Sequence, residues 1–146
     1  VNYEQLERDL IRDEGLKLKP YRDSVGIETI GVGHNMQAHP LPAGMLVDDA
    51  ITETDAKRLL EQDIMEHVAA LCQALPWYER LDEPRQRALC NMCFNLGING
   101  LLGFKNTLAL LERGEYEKAA ANFAMSKWAK QVGPRATRII AVIKGE

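Results

Sequence analysis

Residues 13–34 read DEGLKLKPYRDSVGIETIGVGH, and the change of pattern inside this stretch decides the fold. Just upstream, Leu6, Leu10 and Ile11 fall on one face of a polar segment and Gly15 is a natural stop. An amphipathic helix is therefore expected over residues 3–13, with Glu14 at its end. From Tyr21 to His34 the helical spacing is gone: Val25, Ile27, Thr29, Ile30 and Val32 are punctuated by Gly26, Gly31 and Gly33, which predicts a small β-hairpin or meander. Residues 35–50, with Pro40, Pro42 and Gly44, read as an irregular loop leading into a short helix.

Beyond that loop the spacing is helical throughout. Thr52 and Asp55 resemble a capping box with Asp in place of the usual Glu, followed by Ala56, Leu59, Leu60, Ile64, Val68 and Leu71 at helical intervals. This predicts the longest helix over residues 52–74, closed by Pro76. Further helices are expected over 82–96 ending at Gly97, 105–113 ending at Gly114, 115–124, and 134–143 opening on Pro134. The expected class is α+β, mainly helical, in a single domain of 146 residues. Its lobes are a β-containing one over residues 13–55, a connecting helix over 52–74, and a helical one made of 75–146 plus 1–12. A cleft between two such lobes suits a polymeric substrate.

With 46% hydrophobic and 27% charged residues, the whole chain has the composition of an ordinary globular protein. No apolar run reaches the roughly 18–20 residues a membrane span needs, so no membrane insertion is expected, and no basic-then-apolar leader is visible. The odd cysteine count, Cys72, Cys90 and Cys93, points to synthesis in a reducing compartment rather than to a disulfide scaffold. Net charge is −3, but residues 101–146 hold 8 basic against 4 acidic groups. That asymmetry fits either a solvated helical surface or a face for an acidic polymer. No nucleic-acid partner is expected. A monomer is, because no heptad or long apolar surface stripe remains once the core is assigned.

Glu14, Asp23 and Thr29 form the sharpest chemical constellation. Glycoside hydrolysis needs two carboxyl groups in different protonation states, one to protonate the leaving oxygen and one to support the attacking water. The carbonyls at a helix C-terminus disfavour a neighbouring carboxylate, as a general acid at Glu14 requires. Asp23 lies in a polar turn beside Arg22 and Ser24, where ionisation is easier. On spacing alone, a Glu and an Asp this close are also commonplace surface residues.

The chain resembles the lysozymes of T-even bacteriophages and related phage endolysins along nearly its whole length. The text that carries the resemblance is DEGLKLKPYRD (13–23), TIGVGH (29–34), ITETDAKRLLEQD (51–63), NMCFNLGINGLLGFKNTL (91–108) and SKWAKQVGPRATR (126–138). It implies a lysozyme-like fold and a cofactor-free muramidase acting on peptidoglycan glycan strands with inversion. Glu14 would be the general acid, Asp23 would position or deprotonate the attacking water, and Thr29 would help hold that water. His34 and Asp63 match a buried pair with a structural role, and Arg135 matches an arginine near the catalytic Glu. Asn35, Phe94, Asn95, Thr107 and Asn122 match sugar-contacting positions. The resemblance also implies residence in the host bacterial cytoplasm and action on the wall after a separate protein permeabilises the membrane. A chitinase, a lytic transglycosylase or a glycan-binding protein that has lost turnover are the rival readings.

Cys90 and Cys93 have C-x-x-C spacing, yet they lie within the apolar pattern of Ala88, Leu89, Met92, Phe94 and Leu96, where small buried thiols are common. They are read as core, with no metal site, and Trp128 is read as core as well. His39 and His67 have no evident partner in the sequence.

Overall fold

The structure, a computed structural model, describes residues 1–146. The fold is α+β and mainly helical, with seven α-helices and one three-stranded antiparallel sheet. Its contacts divide the chain into two units, Tyr3–Glu66, and His67–Glu146 together with Val1–Asn2. Residues 1–12 were assigned to the helical lobe from sequence; here α1 groups with the sheet. No helix is long and apolar enough to cross a membrane.

In the first unit, α1 (Tyr3–Glu14) buries Leu6 and Leu10 completely and ends at Glu14. It stops there because Gly15 takes φ +79, a left-handed conformation that a glycine adopts without strain, while its N–H still reaches the Ile11 carbonyl. The sheet runs β1 (Lys17–Arg22), β2 (Glu28–Gly31), β3 (His34–Asn35), in that order. β1 begins four residues before the expected Tyr21, since Lys17, Lys19 and Pro20 hide the strand pattern. Tyr21 pairs with Thr29 and Lys17 with Gly31, and the register is irregular between them, around Pro20, which has no N–H for the ladder. Ile30, Ile51, Ala56 and Leu59 form the buried core of this unit, with Leu16, Leu18 and Met36 packed against it.

The short helix expected within residues 35–50 does not form. Asn35 turns the chain by accepting hydrogen bonds from the amides of Gln37 and Ala38, and a bridge pairs Val47 with Ala50. With Pro40, Pro42 and Gly44 between those turns, no run is long enough to nucleate helical hydrogen bonds. Helix α2 (Glu53–Ala74) follows, capped by the Thr52 hydroxyl, which accepts from the Asp55 amide at 3.1 Å.

In the second unit a 3-10 turn (Tyr78–Arg80) leads to α3 (Glu83–Leu102), capped by Asp82. Gly97 interrupts α3 at φ +76, ψ 162, where the sequence places a stop, but helical geometry resumes after it. α4 (Lys105–Glu112), α5 (Tyr116–Ala124) and α7 (Pro134–Lys144) lie close to their expected bounds. α6 (Lys127–Val132), capped by Ser126, was not anticipated. Leu71, Tyr78, Leu89, Met92, Leu111, Phe123 and Trp128 fill this core, with the rings of Phe104, Phe123 and Trp128 meeting edge to face.

Candidate active site

The loop from Asp23 to Ile27 joins β1 to β2 and is organised around one carboxylate oxygen. Asp23 Oδ1 accepts from the amides of Val25 (3.0 Å) and Ile27 (2.9 Å), while the Asp23 amide donates to the Ile27 carbonyl (3.0 Å). Arg22 closes the loop from outside by donating to the Gly26 carbonyl. The Asp side chain is short enough to satisfy the amides of its own turn, as Asn35 does in its turn.

Thr29 is buried on β2, and its hydroxyl donates to the same Ile27 carbonyl at 2.8 Å. With the hydroxyl proton committed there, the Thr29 oxygen presents lone pairs and acts as an acceptor. The backbone N–H and C=O of one residue, Ile27, thus fix both Asp23 and Thr29. Sequence reading missed this because Ile27 contributes only backbone atoms.

Glu14 is half-buried at the end of α1, and its carboxyl lies against the turn joining β2 to β3. Tyr21 reports on the field there: burial first, then the charges of Glu14 and Asp23, push its phenol above the ordinary range. The phenol therefore keeps its proton at neutral pH and can donate a hydrogen bond. The Lys17 ammonium lies 4.1 Å from the centre of the Tyr21 ring, a cation–π contact. Tyr21 stands between the two acids in the matched text, so a signal for it was present.

Behind the site, His34 and Asp63 form the expected pair, Nδ1 to Oδ2 at 2.8 Å, and His34 Nε2 meets the His39 carbonyl at 2.8 Å. Burial alone would depress the imidazole, but the hydrogen bond and charge of Asp63, the His39 carbonyl and the Glu66 carboxylate outweigh it, so the net direction is up. His39 has an exposed partner of its own, Glu66, at 2.8 Å.

Apart from Asn35, the other candidate positions lie in the second unit. Thr107 and Asn122 line one open pocket of about 520 Å³, together with Phe104, Lys105, Met125 and Ser126. Phe94 and Asn95 are not among its lining residues. The Phe94 ring packs against His67 at 4.9 Å, and the Asn95 side-chain oxygen, Oδ1, accepts from the buried Trp128 indole at 2.8 Å. Arg135 is buried and donates to the Asn91 side chain at 2.9 Å. Asn35 is in the first unit, with the turn-forming role described above. Cys90 and Cys93 are buried, and burial pushes both thiols up to about 12.

The profile of the phage lysozyme family matches residues 12–141. The chain is 30% identical to a probable T4-type lysozyme of Dictyostelium discoideum, over 94% of this chain and 92% of that protein. It is 34% identical to an endolysin of Salmonella phage P22, over 81% of this chain and 77% of the endolysin. It is also 30% identical to the pre-baseplate central spike protein Gp5 of Enterobacteria phage T4, over 92% of this chain but 26% of that longer protein. With a family match over most of its length, on a fold that holds two acids and a hydroxyl in one short segment, the chain belongs to the phage lysozyme family and is a glycoside hydrolase.

Proposed function

We propose that this enzyme is an inverting muramidase that cuts the β-1,4 bond between N-acetylmuramic acid and N-acetylglucosamine in bacterial peptidoglycan. Glu14 acts as general acid, protonating the glycosidic oxygen as the bond breaks. Asp23 acts as general base on a water, and Thr29 accepts that water's second hydrogen, leaving an oxygen lone pair aimed at the anomeric carbon. The observation that carries this reading is the Ile27 backbone. By engaging Asp23 Oδ1 and the Thr29 proton, it leaves acceptor sites on both side chains for one water. The hydroxyl and amide of Thr107 and Asn122 suit N-acetyl and hydroxyl groups of the glycan. Lysis of the host wall is the biological role that follows.

The test is release of reducing ends from purified peptidoglycan by the native enzyme and by Glu14→Gln, with the anomer of the fresh product read by NMR. The expected result is loss of about 10³-fold or more in the variant and an inverted product from the native enzyme. An anhydro product would instead identify a lytic transglycosylase. Tight glycan binding without turnover, unchanged in Glu14→Gln, would identify a binding protein.

A further inference from the structure

Gly33 lies in the turn joining β2 to β3, at φ +63. A Cβ at this position would sit 2.8 Å from Glu14 Oε1, 2.9 Å from Cδ and 3.1 Å from Cγ. The end of the Glu14 side chain therefore occupies the space that any other residue at 33 would need. Most other glycines with positive φ differ: Gly15, Gly26, Gly44, Gly97, Gly114 and Gly133 would meet nothing within 4 Å, Gly31 would make only ordinary contact with Ala56 and Ile51, and Gly145 would meet only the tip of Arg85, at 3.1 Å. The turn is anchored on one side by the next residue, His34, whose two ring nitrogens are held by Asp63 and the His39 carbonyl. It is thus a fixed backbone surface, not a side chain that could rotate aside.

We propose that Gly33 is a positioning residue for the reaction: its bare Cα is the seat in which the Glu14 carboxyl rests in its working geometry. The inference rests on the reading of Glu14 as general acid. A glutamate has three side-chain torsions, and a proton donor must be held to within a fraction of an ångström of its working position. At the end of a helix, followed by a glycine, Glu14 gains part of that restraint from the turn. A methyl group at 33 meets the far end of a flexible side chain, so the carboxyl swings away and the contact adds little to the backbone strain that a side chain at φ +63 carries. Misplacement by about 1 Å lowers turnover by about 10²-fold.

The experiment compares Gly33→Ala with Gly44→Ala, measuring kcat, KM, the pH profile of kcat and the urea unfolding midpoint. Gly44 has φ +84 and an empty surround, so it reproduces the backbone strain without the contact. The expected result is similar loss of stability in both variants, but a fall of about 10²-fold in kcat and a displaced pH profile in Gly33→Ala alone, with KM little changed. Gly33→Asn is measured in parallel, because Asn tolerates positive φ better than Ala while still carrying the Cβ. Its kcat falls likewise, and this variant decides the matter if Gly33→Ala does not fold. Glu14→Gln separates the two levels of failure. If it keeps full activity, the reading of Glu14 as acid is wrong. If it is inactive while Gly33→Ala and Gly33→Asn turn over like Gly44→Ala, the positioning role of Gly33 is overturned.

Discussion

The Ile27 backbone holds three hydrogen bonds to two neighbours, and none of them uses its side chain. The same is true of Gly33, which acts through the atom it lacks. Glu14, Asp23 and Thr29 were legible in the sequence by residue type only together with the family resemblance, since a Glu and an Asp this close are commonplace on their own. The groups that hold them were not, because any residue has a peptide and a glycine is usually read as a turn. His34 and Asp63 were legible only through the family resemblance, being separated by residues 35–62. Their pairing makes a pH-dependent contribution. The folded imidazole is raised above its ordinary 6.5, so the stabilisation is complete below that value and fades as pH rises through the raised one. Asp63→Asn is expected to lose about 3 kcal/mol at pH 5.5, because it leaves a buried cation unpaired, and distinctly less at pH 9. Urea unfolding at the two pH values checks this. An equal loss at both would mean that a neutral hydrogen bond, not an ion pair, joins the two residues.

Among the elements, α2 was the most legible, since its apolar spacing runs for six turns and Thr52 marks its start. The cap is an independent contribution: Thr52→Ala leaves the Asp55 amide without its acceptor and should lower stability by about 1 kcal/mol. A chemical-denaturation midpoint unchanged from the native protein would show that water or another group replaces the hydroxyl. The missed α6 has only six residues, too few for a periodic signal, and exists because Ser126 caps it and the Trp128 side chain is buried against Phe104 and Phe123. The converse error, a helix expected within 35–50, arose because scattered apolar residues there pack onto the sheet from turns. Position in the core, not local pattern, decides such short segments.

Over the whole molecule, composition and the succession of patterns were enough to give an α+β fold rich in helices. The grouping of α1 with the sheet was not legible, since its apolar face is the same whichever partner covers it. Burial of the thiols gives a global test. With Cys90 and Cys93 pushed up to about 12 and Cys72 only partly exposed and also raised, by burial and then by Glu79, the native protein should react slowly with a thiol reagent at pH 8. Cys72 should be modified first, and the other two at the rate at which the second unit opens. Rapid modification of two thiols before unfolding would show that this core is loosely closed. The proposed acid, base and hydroxyl all lie within residues 14–29, whereas Phe94, Asn95, Thr107 and Asn122 are encoded far downstream. The proposed chemistry is thus carried by one short run of sequence. Exchange of the downstream segment would alter the proposed contacts to the sugar and leave the proposed acid, base and hydroxyl in place.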